Sequence, residues 1–197
     1  SQSNAAICQR YFNTILLPRV REDILLTKKL NFHLYQAVRK SLFKSQAFFR
    51  GFLLPLCSDE CRAREAVILG GVIQKNSIPV IQSALAMYKL LELEYSGPVH
   101  YFLRILLNKR YALPLKVIDA LVSHFKKFEN DPRQMPVIWH QTFLVFAERY
   151  KKSLTKQQRN SLKNVLKKQY HRQITPLIRK ELFVNVQDKI TSMDIDI

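Results

Sequence analysis

Between Arg149 and Arg172 the sequence places nine lysines and arginines and no acid. Arg149, Lys151, Lys152, Lys156, Arg159, Lys163, Lys167, Lys168 and Arg172 make up the set. Side chains of this kind hold phosphate oxygens, and neutralising a phosphate track releases counterions. The spacing sharpens that reading. On a helix over 156–169, Lys156, Arg159, Lys163 and Lys167 step by 3, 4 and 4. At about 100° per residue they share a wedge of about 80°. Leu162, Val165 and Leu166 fall mostly on the other side. Like charges at i,i+4 repel, so the stripe does not stabilise its own helix. A solvated surface face is the plain alternative. A membrane-surface helix fits less well, because the apolar face has no Trp or Phe.

Other constellations carry less chemistry. Tyr35, Arg39, Lys40, Phe43, Lys44, Phe48, Phe49 and Arg50 interleave bases with aromatics. Such a group can stack unpaired bases, although phenylalanines at helical spacing more often fill a core. Lys109-Arg110-Tyr111 falls at an expected helix end, where cations simply complement the dipole. Cys57 and Cys61 form one pair, and a structural zinc site needs two; they read as packed thiols. His33, His100, His124, His140 and His171 are scattered, and none sits in a metalloprotease or nucleophile-elbow context. His140 beside Trp139 reads as a packing residue. Gly70-Gly71 lies inside an apolar helical run and reads as close helix packing, not as a phosphate loop. Glu92 and Glu94 point in different directions on a helix and make no acid–base pair. No catalytic site, metal site or cofactor is expected.

The elements that must position these residues are helical. In 114–128, Ile118, Leu121, Val122, Phe125 and Phe128 trace one helix face. Trp139, Phe143, Phe146 and Tyr150 step by 4, 3 and 4, and 101–107 is apolar nearly all round. No sustained alternation argues for strands. Pro18, Pro79, Pro98, Pro114 and Pro136 stand where helices begin, and Asn31, Ser45 and Thr155 are candidate caps. The pattern predicts helices over 5–16, 19–28, 32–44, 46–56, 62–76, 80–95, 99–109, 115–128, 137–152 and 156–169, with a short one over 176–184. Pro79 to Pro136 are separated by 19, 16 and 22 residues. Those gaps make helix pairs close to the length of HEAT units, although no sequence repeat accompanies them. The expectation is an all-α chain of stacked antiparallel helix pairs, a HEAT-like α-solenoid. It forms one helical-repeat domain over 1–184 and leaves a polar tail over 185–197.

Composition bounds the function. The 197 residues hold 32 Lys+Arg and 15 Asp+Glu, a net charge of +17. Residues 1–98 carry +6 and residues 99–197 carry +11. Polyanions are the natural partners of such a surplus. An odd count of three cysteines argues against a disulfide framework and suits a reducing compartment. No apolar run reaches the ~18 residues that a membrane span needs. The chain begins at Ser1 in a polar stretch without a signal-peptide pattern.

Several segments, in serial order, resemble the bystin family. They are Ala47-Phe48-Phe49-Arg50-Gly51 with Leu53-Leu54-Pro55-Leu56, then Cys61-Arg62-Ala63-Arg64-Glu65-Ala66. Ser77-Ile78-Pro79-Val80, Glu94-Tyr95-Ser96-Gly97 and Phe102-Leu103-Arg104 follow. Lys109-Arg110-Tyr111-Ala112-Leu113-Pro114 and Pro136-Val137-Ile138-Trp139-His140-Gln141 complete the series, within roughly residues 11–183. Ala63 stands where the family pattern has Leu, and the family's charged N-terminal region is not in this chain. The resemblance implies an all-helical, non-enzymatic factor in small-subunit ribosome assembly. It implies contact with precursor rRNA, ribosomal proteins and assembly factors, residence in the nucleus and nucleolus, and passage with the maturing subunit towards the cytoplasm. A docking solenoid whose basic face meets acidic protein segments, without RNA contact, is the competing function.

Overall fold

The computed structural model describes residues 2–184. Every regular element among them is helical. The chain divides into two compact units, one ending at Tyr111 and one beginning at Ala112. Residues 185–197, expected as a polar tail, lie outside the described residues.

The first unit holds α1 (Gln2–Tyr11), α2 (Leu17–Thr27), α3 (Phe32–Ser41), α4 (Ser45–Phe48), α5 (Leu54–Ser58), α6 (Ala63–Lys75), α7 (Val80–Glu92) and α8 (Gly97–Asn108). Residues 5–16 and 19–28 were expected as separate helices. Instead α1 runs into α2 through a π turn, Phe12–Leu16, in which the Leu17 N–H donates to the Phe12 carbonyl. The cause is Pro18. Inside an α-helix its ring would clash with the carbonyl of Thr14, four residues back, and the bond to that carbonyl is lost. Widening the turn relieves both without breaking the helix. Pro55 repeats the arrangement. The π turn Phe49–Leu53 precedes it, and the Leu54 N–H donates to the Phe49 carbonyl. The two widened segments pack together, and Gly51 lies at the crossing with α1. A Cβ on Gly51 would stand 2.3 Å from the Gln9 carbonyl oxygen, so only hydrogen fits there. Gly70 serves α6 and α8 in the same way, with Ile105 and Tyr101 in the space a Cβ would need, whereas a Cβ on Gly71 would meet nothing.

The second unit holds α9 (Leu115–Lys126), α10 (Val137–Tyr150), α11 (Lys156–Lys168) and α12 (Thr175–Arg179). Pro114 and Pro136 cap α9 and α10, as Pro79 caps α7 in the first unit. Its core is an aromatic stack. The Phe125 and Phe143 rings lie 4.5 Å apart and nearly parallel, and Trp139 meets Phe125 edge-on at 5.5 Å. All three are buried. Gln169 is buried too and ties down the 127–136 connection. Its amide donates to the carbonyls of Phe128, Asp131 and Arg133, and its oxygen accepts from the Met135 N–H at 3.0 Å.

Two expected caps form and one does not. The Asn31 side chain accepts from the His33 N–H at 2.8 Å, and Thr155 and Gln158 cap each other reciprocally. Ser45 is no cap. Its hydroxyl is buried and donates backwards to the Leu42 carbonyl at 2.6 Å, because a short 3-10 turn, Leu42–Lys44, carries α3 into α4. The helix expected over 80–95 ends at Glu92, since Leu93 is extended and Ser96 already caps α8.

A candidate phosphate-binding face on α11

Helix α11 is fixed from one side only. Leu162, Val165 and Leu166 are fully buried against the second unit's core. At about 1.5–3 kcal/mol each, they anchor the helix without help from its charges. The reciprocal cap at Thr155 sets the N-terminus, and the Gln158 amide reaches Asp119 on α9 at 2.7 Å. The Arg179 guanidinium donates to the Leu166 carbonyl near the other end.

The opposite side is open. Lys156, Lys163 and Lys167 are exposed and line a shallow trough of about 710 Å³ with Gln157, Asn160, Ser161 and Asn164. No acid lines it. The Lys163 ammonium also sits over the Phe183 ring, 5.6 Å from its centre. The amides and the hydroxyl were not singled out in the sequence, although the same helix arithmetic places them there. They add neutral hydrogen-bonding groups between the cations.

The remaining six sequence candidates divide. Lys152, Lys168 and Arg172 are exposed, but none lines the trough. Arg159 flanks the stripe. It is half-buried, and its guanidinium donates to the Lys151 carbonyl at 3.3 Å. Its place at the edge of the apolar face, beside Leu166, turns it inward. Lys151 is ion-paired with Glu181. Arg149 is half-buried, and its Nε is buried without a hydrogen-bond partner. The outward-facing stripe is therefore the three lysines, with Arg159 turned back to the backbone.

The mixed aromatic–basic group also splits. Phe48 and Phe49 are core residues, while Phe43 is 83% exposed. Lys109 acts as a cap, though for a different helix than its own. Its ammonium donates to the Asn76 carbonyl at 2.6 Å and to that of Gln74 at 3.4 Å, at the end of α6. Burial lowers its pKa. The Tyr111 hydroxyl accepts from the Ile78 N–H. Burial pushes the Cys57 thiol up, and the Cys61 thiol up to about 12, so both stay protonated at neutral pH. His140 is buried, and burial, then the neighbouring His171, bring its pKa down to about 4. Among the described residues no cluster of three or more His, Cys, Asp or Glu is placed to hold a metal ion. No described helix is long and apolar enough to cross a membrane.

One motif residue has a structural role that sequence alone did not reveal. Glu65 is 1% exposed. It accepts from the Arg62 N–H at 2.8 Å, capping α6, and from Arg21 Nε at 2.9 Å. Arg21 also reaches Asp59 at 2.7 Å.

Comparison with known proteins covers nearly the whole chain. The family model described as Bystin matches residues 1–192. The chain is 55% identical over 177 residues to Bystin of Monosiga brevicollis, covering 89% of this chain and 43% of that protein. It is 50% identical over 193 residues to Bystin of Rattus norvegicus, covering 95% and 44%. It is 51% identical over 177 residues to Bystin of Homo sapiens, covering 89% and 40%. The chain thus spans less than half the length of these relatives. The residues that cap α6, cross at Gly51 and fill the helical cores fall within the matched region, and the chain belongs to the Bystin family.

Proposed function

We propose that this chain is the helical part of a non-enzymatic ribosome biogenesis factor. It binds precursor small-subunit rRNA particles, together with ribosomal proteins and other assembly factors, and supports rRNA processing and export. It works in the nucleus and nucleolus and moves with the maturing subunit towards the cytoplasm. The observation that carries the RNA-binding part is the α11 face. Three exposed lysines stand on one side of a helix that is anchored entirely from the other, within 24 residues free of acid. That arrangement suits a phosphate backbone read by charge, with little sequence preference. The assembly role rests on the family resemblance.

The HEAT-like stacking belongs to the same reading. Alternate helices pack on one another, α5 on α7 and α6 on α8 in the first unit, α9 on α11 and α10 on α12 in the second. Layered helix pairs produce such second-neighbour contacts, and stacked pairs offer long surfaces to a large particle.

Crosslinking the protein to RNA in cells, followed by mapping of the crosslinked peptides, tests the proposal. Small-subunit precursor rRNA attached within 156–168 is the expected result. RNA-free recovery of that segment, with crosslinks to acidic protein segments instead, would favour the docking solenoid.

A further inference from the structure

We infer a second nucleic-acid site, at the elbow between α3 and α4, where Phe43 stacks on an unpaired base and Arg39, Lys40 and Lys44 hold the neighbouring phosphates. The inference rests on the RNA-binding reading above and goes beyond it in place and in chemistry. Phe43 lies on the 3-10 turn Leu42–Lys44 that joins the two helices. The inner side of the elbow is packed, with Val38, Leu42, Ser45 and Ala47 all buried. The outer side is Arg39, Lys40, Phe43 and Lys44, every one exposed. At 83%, Phe43 is more exposed than any other large hydrophobic residue described.

A single exposed apolar residue is ordinary on a protein surface. The surroundings of this one are not. From Ile24 to Ser58 the sequence has no acid and six cations, a longer acid-free stretch than Arg149–Arg172. Arg39 and Lys40 complement the end of the α3 dipole, which accounts for two of the three charges at the elbow. It accounts neither for Lys44, beyond that helix, nor for an outward phenylalanine. An aromatic face beside cations and without acids matches a single strand, whose bases offer π-faces and whose backbone offers charge. A duplex hides its base faces, so it satisfies the cations only. A protein anchor would use the apolar ring but would leave three like charges to be matched by acids.

The test uses the whole chain, a short oligouridine and a fully paired RNA duplex of equal length. The variants are Phe43→Ala, Phe43→Leu and Phe43→Trp. Since Phe43 is exposed, each should melt like the parent, which circular dichroism checks. Phe43→Ala should weaken oligouridine binding roughly tenfold and leave duplex binding unchanged. Phe43→Leu should lose as much, because it keeps apolar area without a π-face, and Phe43→Trp should retain affinity. If Phe43→Ala binds oligouridine like the parent while Lys156→Gln/Lys163→Gln/Lys167→Gln does not, the α11 reading survives. The elbow then passes to a protein partner, and this inference is overturned. Equal losses on both RNAs, or full affinity in Phe43→Leu, would overturn stacking. A parent chain that binds neither RNA would overturn this inference and the α11 reading together.

Discussion

Arg21 and Lys163 carry the same charge and put it to opposite uses. Arg21, on α2, turns inward and spans 2.9 Å to a carboxylate that is 1% exposed, while Lys163, on α11, stands in an open trough without an acid. The first unit binds its charges into its own architecture. Arg21 ties Glu65 and Asp59, Lys109 closes the end of α6, and Arg64 donates to the Lys28 carbonyl. Helix α11 has no need of such ties, because three buried aliphatic residues and a reciprocal cap already hold it. A net charge of +17 is therefore an imperfect guide to a binding face. What distinguishes the candidate face is that its cations are spare.

That contrast is open to direct attack by mutation. The largest effect on folding should come from Glu65→Ala. It strips the cap from α6 and leaves Arg21 facing a buried, apolar gap, at about 4 kcal/mol. Urea denaturation measures it, and a loss under about 1 kcal/mol would remove the case for an inward charge network. Leu166→Ala, on the buried side of α11, should cost about 3 kcal/mol. Gln169→Ala should follow at about 2 kcal/mol, because three backbone carbonyls and the Met135 N–H lose one common partner.

The reading of α11 was legible because its information is local. One helix of thirteen residues carries its own cap, apolar face and polar face, and arithmetic at about 100° per residue recovers all three. Where it failed, distant residues decided the outcome. Lys151 meets Glu181 thirty positions on, Glu65 meets Arg21 forty-four positions back, and Lys109 crosses thirty-three positions to Asn76. No periodicity encodes such pairings. The π turns were missed for another reason. Proline was read as a helix start, and the chain instead widens the turn ahead of Pro18 and Pro55 and continues. Phe43, Phe48 and Phe49 looked alike in sequence, and only the elbow at Lys44 separates the outward ring from the two buried ones.

A smaller effect should appear with pH. His140 is held neutral in the folded chain, with its pKa brought down from an ordinary value near 6.5 to about 4. The unfolded chain therefore takes up that proton first as pH falls. The stabilisation is fully present above about 6.5 and is lost progressively towards 4. Melting temperatures at pH 7 and pH 5, above the main carboxylate range, should fall on acidification. His140→Gln should flatten that slope. A parent protein equally stable at both pH values would contradict the burial of a neutral imidazole.

The smallest effect on folding belongs to the outward lysines. Lys156→Gln/Lys163→Gln/Lys167→Gln should change stability by no more than about 0.5 kcal/mol, because these side chains contribute no buried contact and repel one another at i,i+4. A loss of several kcal/mol would mean that the stripe is structural and would erase the distinction between the two regions.

The same triple variant gives the most direct test of the account when its binding to single-stranded RNA is followed against salt. Three lysines that hold three phosphates contribute about 2 to the slope of log K against log salt. The parent should show the steeper dependence and the variant a slope shallower by about that amount, with weaker binding at low salt and an unchanged fold. Identical slopes and affinities for the two proteins would show that α11 presents a solvated face and that phosphate is held elsewhere.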